Sequence, residues 1–200
     1  VRDVFHGQIL GVGSTSGVRV VVGRWLDSPL GAFADVMVAD ATGRRTLLAP
    51  TAEVADYVTA TYTFDAVRQV PVTVSAGPDA WSVDAGPLQL TVALGGRTPL
   101  GRLLSVLPPS VAHSPALASL TDPVARVVLR GVRTRGTAGN GRREFYGATD
   151  QRAVTEADGS WDGTPLGRLA PVWPEPSFGF SSTPRRPSLV TLATTVDRTR

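Results

Sequence analysis

Gly11-Val12-Gly13-Ser14-Thr15-Ser16-Gly17-Val18-Arg19-Val20-Val21-Val22 is the stretch that decides the fold. Its first half comes close to two glycine motifs that open helices, and its second half excludes both. A dinucleotide fingerprint needs Gly at position 16 with a helix behind it, but Ser16 stands there and a valine-rich, strand-like run follows. A nucleophile elbow needs Ser midway between Gly13 and Gly17, where Thr15 stands. What remains is a hairpin turn at Ser14-Thr15-Ser16-Gly17 between strands at 5–12 and 17–25.

Working outward, 21 Gly and 16 Pro in 200 residues punctuate the chain about every five residues, which suits short strands better than long helices. Further strands are predicted at 33–40, 44–49, 69–75, 80–85, 87–94, 123–135, 142–154 and 187–197. Turns are expected at Ala41-Thr42-Gly43 and across 136–141, where Gly139-Asn140-Gly141 supplies positive backbone dihedrals. Thr51 can cap a helix running through Val54, Tyr57 and Val58, after which Thr61-Tyr62-Thr63-Phe64 turns strand-like. Thr98 and Pro99 open a second helix with Leu100, Leu103, Leu104 and Leu107 on one face, stopped by Pro108 and Pro109. The pattern predicts one domain over residues 1–200. Its class is mostly β, formally α+β: a closed or nearly closed antiparallel β-barrel or sandwich with two or three short helices. The phrase Ser/Thr-Pro-Leu-Gly recurs at 28–31, 98–101 and 164–167, spaced too widely for a solenoid, so shared turn chemistry explains it better than duplication.

Composition removes whole classes of chemistry. All 20 basic residues are Arg, and neither Lys nor Cys occurs. Within these residues there can be no internal lysine imine, no lysine-held pyridoxal cofactor, no P-loop lysine, no thiol nucleophile, no disulfide and no thiolate metal site. Asn140 and Ile9 are the single members of their types, a depletion expected of a GC-rich bacterial genome. The pI of about 10.1 accompanies a net charge of only +3, because few groups can lose a proton between neutral pH and pH 10. No apolar run approaches the roughly 18 residues that span a bilayer, and residues 1–10 lack the layout of a signal peptide. A cytoplasmic protein without membrane partners is expected.

Candidate groups are few. His6 and His113 lie far apart in sequence and outside any metal-ligand spacing, so neither a hydrolytic triad nor a metal site is expected. Arg126, Arg130, Arg133, Arg135, Arg142 and Arg143 form a basic run that could follow phosphates or hold a carboxylate ligand. Only Phe145 and Tyr146 accompany it, too few stacking platforms for a nucleic-acid surface. In the strand from Phe33 to Val38, Phe33, Asp35 and Met37 share one face and Ala34, Val36 and Val38 the other. Either Asp35 lines an interior, paired with an inward Arg24, Arg68 or Arg133, or its face points to solvent.

Ser28-Pro29, Gly31-Ala32-Phe33-Ala34-Asp35 and Val36-Met37-Val38 together resemble a strand motif of the acetoacetate decarboxylase family: Gly, Pro, an aromatic, any residue, Glu, then an apolar strand. The order of later features is similar over most of the chain: a helix after Leu47-Leu48-Ala49-Pro50, paired strands near 69–94, the Leu-rich stretch 103–109 and a turn at 159–163. The resemblance implies that fold and a cavity into which the motif's acid points, beside a lysine that forms an imine with a keto acid. Two departures occur in the motif, Asp35 in place of the longer Glu and Ala32 in place of Pro. A third falls where the lysine is expected, since Asp65-Ala66-Val67-Arg68-Gln69-Val70 stands there and Arg68 cannot form an imine.

Two functions follow as expectations. One is a barrel domain binding an anionic or keto-containing small molecule through Phe33, Asp35, Glu144 and inward arginines, with no cofactor and no metal. The other is a lysine-independent lyase or hydrolase in which Asp35 or Glu144 is the base and Arg stabilises an enolate or carboxylate. A structural or oligomerising module stays open, as does assembly into a homo-oligomer.

Overall fold

The computed structural model describes residues 2–105, 135–137, 143–179 and 183–197. Strands β1 (Arg2–Ser14), β2 (Arg19–Asp27), β3 (Phe33–Ala39) and β4 (Arg45–Ala49) come first, followed by helix α1 (Ala52–Thr59). Then come β5 (Ala66–Gln69), β6 (Thr73–Ala76), β7 (Ala80–Ala85), β8 (Leu88–Arg97) and helix α2 (Pro99–Ser105). β9 (Arg135–Thr137), β10 (Arg143–Trp161), β11 (Thr164–Pro165), β12 (Leu169–Ala170) and β13 (Ser188–Asp197) complete the described elements. Hydrogen bonding orders them β5-β4-β3-β2-β1-β13-β10-β8-β7-β6, with β9 and β11 on β10 and β12 on β1.

The two ends of that order are consecutive in sequence. Only residues 70–72 separate β5 from β6, a link that spans at most about 15 Å. The sheet therefore curls until its edges nearly meet. Packing across the curl agrees: Val36, Val38 and Leu48 share one buried cluster with Trp81, Val83, Leu88 and Leu90 from the far half. Val70, Val72 and Val74 pack against that cluster at the seam.

The Ser14–Gly17 turn forms as the sequence requires, with Gly17 at φ 84° and its N–H bonded to Ser14 O at 3.0 Å. Gly43, at φ 86°, closes the second turn. Thr51 caps α1, its Oγ1 accepting from Val54 N at 3.2 Å, and Val54, Ala55 and Val58 bury the inner face. Thr98 Oγ1 receives the Gly101 N–H at 3.0 Å at the head of α2, whose leucine face is only partly covered, with Leu103 60% exposed. The recurring tetrapeptide has two outcomes: Gly31 and Gly167 take φ near +75° to +80° in turns, whereas Gly101 enters a helix.

Several expectations need correction. The strand expected at 69–75 is split into β5 and β6 at Val70-Pro71-Val72, because Pro71 has no N–H for a ladder. β5 pairs parallel to β4, since α1 carries the chain back over the sheet before β5 begins. Residues 61–64 leave the helix as turn and coil instead of strand, with Tyr62 and Phe64 packing against the helix-side clusters. β10 continues to Trp161, well past residue 154. Most of the strand expected at 123–135, the end of the Leu-rich stretch and the turn around Asn140 lie outside the described residues.

Candidate functional site

β3 is buried on both faces. Val36 and Val38 enter the apolar cluster inside the curl, while Phe33, Asp35 and Met37 point the opposite way, beneath α1 and the segment holding Tyr62 and Phe64. α1 lies there because Val54, Ala55 and Val58 pack on Leu47 and Ala49 of β4. Between helix and sheet is a cavity of about 50 Å³. Its wall includes Phe5, Trp25, Phe33, Asp35, Tyr57 and Thr194, with Tyr62 and Tyr146 closing one side.

Asp35 is 2% exposed and accepts a hydrogen bond from Trp25 Nε1 at 3.0 Å. Trp25 stands two residues from Gly23, which pairs directly with Asp35 across β2 and β3. A Cβ at Gly23 would lie 2.6 Å from Asp35 Oδ1 and 2.8 Å from Trp25 Nε1. The glycine thus keeps open the space in which carboxyl and indole meet. Burial pushes the Asp35 carboxyl up to about 7, and the indole N–H offsets only part of that rise. Near neutral pH the group can therefore exist as a carboxylic acid that donates a hydrogen bond or as a carboxylate that accepts a proton.

Aromatic edges enclose this carboxyl. Phe5 meets Trp25 at 5.5 Å and Phe33 at 6.5 Å between ring centroids, both edge-on, and lies 5.2 Å from Tyr57. The Tyr57 hydroxyl donates to Asp3 Oδ2 at 2.9 Å. Tyr62 and Tyr146 join their hydroxyls at 2.7 Å. Thr194 of β13 sits between Phe5 and Tyr146, its register partners on the two neighbouring strands. It is 4% exposed, and its Oγ1 has no hydrogen-bond partner among the described residues.

Of the residues singled out from sequence, the structure brings Phe33 and Asp35 together at this cavity. Among the described residues the partner of Asp35 is the Trp25 indole and not an arginine. Arg24 alternates to the other face of β2, where it donates to Gln8 Oε1 at 2.9 Å and stacks 5.7 Å from the Trp81 ring. Arg68 lies on the edge strand, bonded twice to Asp162 at 2.7 and 3.1 Å and 5.5 Å from the Trp161 ring. Arg133 and the Glu144 side chain lie outside the described residues. Sequence reading missed Trp25, Gly23, Tyr62 and Thr194. The first two were reachable: a hairpin across residues 28–32 sets Gly23 opposite Asp35 and Trp25 opposite Phe33. Thr194 carries no such mark. Among the described residues, no group of three or more His, Cys, Asp or Glu could hold a metal ion, and no helix is long and apolar enough to cross a membrane.

No protein-family model matches the chain, and no curated protein does either. Among solved structures it is similar to acetoacetate decarboxylase from Legionella pneumophila subsp. pneumophila str. Philadelphia 1, at 10% identity and a TM-score of 0.40, over 98% of this chain and 82% of that one. At those values the likeness assigns neither a residue nor a reaction.

Proposed function

We propose that the chain binds a small keto-containing molecule in the cavity beside Asp35 and does so without imine chemistry. The observation that carries this reading is Asp35 itself, a buried carboxyl raised to about 7 against aromatic walls. Holding such a group in an apolar site costs stability, and functional sites are where such costs accumulate. With no lysine in the chain, a bound carbonyl is held by hydrogen bonds alone. The same carboxyl supports a second reading, lysine-independent proton transfer next to the carbonyl, because a base titrating near 7 is matched to neutral pH.

The indole N–H of Trp25 reports on the site directly. Titrating the ¹⁵N-labelled protein with pyruvate, acetoacetate and 2-butanone should move that resonance saturably for at least one of them, and Asp35→Ala should abolish the response while the protein stays folded. Borohydride added to the complex should leave internal peptides unmodified. A Trp25 resonance unmoved by all three compounds would sink the reading. Turnover of a bound compound that is lost in Asp35→Asn, with binding retained, would establish the second reading over simple binding.

A further inference from the structure

The cavity holds a second polar group that the Asp35 reading leaves unused. Thr194 Oγ1 is buried without a partner among the described residues, so the desolvation of its hydroxyl goes uncompensated. Threonine at this position is not required by packing. Valine has nearly the same shape, suits a strand equally well, and would remove the orphan oxygen. Its polar neighbours are engaged elsewhere: Tyr62 and Tyr146 share a hydrogen bond at 2.7 Å, and the Trp25 indole donates to Asp35.

The charge of the wall is equally informative. Asp35 is the one carboxyl among the described lining residues, and no Arg or His is among them. An anion entering here would lose its hydration with no cation among the described lining residues to replace it. Once the Asp35 proton is lost, like-charge repulsion adds to that cost. A space of about 50 Å³ also limits the occupant to a few non-hydrogen atoms.

Building on the proposed function, we infer that Thr194 is a specificity-determining residue whose hydroxyl donates to the carbonyl oxygen of a compact, uncharged ligand, and that the site rejects carboxylates of the same size. The keto group is thus held at the β13 side of the cavity, and the apolar remainder lies against Phe5 and the other rings.

Acetone and acetate are close to isosteric and differ in charge, so they test the inference as a pair. With the Trp25 indole resonance as readout at pH 8.5, acetone is expected to bind and acetate to bind at least about 10-fold more weakly. Thr194→Val should weaken acetone about 5- to 10-fold, and Thr194→Ser should restore most of the loss. In the absence of ligand, Thr194→Val should raise the thermal midpoint, which sets binding and stability moving in opposite directions. Acetate binding as tightly as acetone would overturn the charge selection. Acetone binding unaltered in a folded Thr194→Val protein would overturn the role of the hydroxyl. Either failure leaves the Asp35 reading intact if at least one keto compound, charged or neutral, still moves Trp25 and Asp35→Ala still abolishes the response. A resonance that no compound moves overturns both.

Discussion

Asp35 is buried like its strand neighbours Val36 and Val38, yet the two faces of β3 are chemically opposite. Val36 and Val38 enter the apolar cluster inside the curl, together with Leu10, Val20, Val22 and Leu48. One residue away, Asp35 faces rings, an indole N–H and an orphan hydroxyl. Burial therefore does not distinguish core from site in this molecule. The presence of polar groups with incomplete pairing does, because a face selected for packing alone would have shed them.

The sharpest way to break this contrast is to move the carboxyl across the strand. Val36→Asp places it where no donor or cavity awaits, and it should cost roughly 5 kcal/mol or more, enough to abolish cooperative unfolding in urea. Asp35→Val, in contrast, should leave the protein folded. A Val36→Asp protein as stable as the parent would show that the inner face is not the continuous core described.

How far the sequence foretold this contrast depends on range. Alternation along β3, the Thr51 cap and the glycine-closed turns are local, governed by side-chain periodicity and positive φ, and they were legible. The curl was expected in outline, but its seam was not: Pro71 interrupts a run that otherwise reads as one strand, and the parallel β4–β5 pair depends on where α1 docks. At the site, Asp35 and Phe33 stood out, since an acid on an apolar strand is conspicuous. Charge alone points to an arginine as its partner, whereas register supplies an indole from the adjacent strand. Thr194 was illegible because its significance lies in a missing contact, which only three-dimensional neighbours define.

Proton linkage sharpens the comparison next. The folded-state value of Asp35 lies above its ordinary 3.8, so the folded protein binds the extra proton between about pH 4 and 7. Stability from this group is fully present below pH 4 and is lost as pH rises through 7, by at most about 4 kcal/mol. Asp65 works in the other direction, because Arg45 beside it holds its carboxyl well below the usual range, so its contribution is present above about pH 4 and fades in acid. Urea unfolding at a series of pH values should therefore show stability falling from pH 4.5 to 7.5 in the parent. Asp35→Asn keeps an oxygen for the Trp25 N–H and should flatten that interval. The same slope in both proteins would mean that Asp35 is ionised at an ordinary pH and that the two faces differ less than their geometry indicates.

The smallest effect is expected outside both faces. Arg68 belongs to the edge strand, where its bidentate ion pair with Asp162 and its place over Trp161 are substantially open to solvent. Exposed ion pairs gain little, because water already solvates both charges and ordering two side chains offsets much of the attraction. Arg68→Ala should then destabilise by about 1 kcal/mol or less, and increasing salt should shrink the difference further. It should also leave the Trp25 response to ligand unchanged, although the position falls where the resemblance placed an imine-forming lysine. A large loss of ligand response with stability preserved would draw the seam between β5 and β6 into the site, and the contrast between the faces of β3 would no longer locate it.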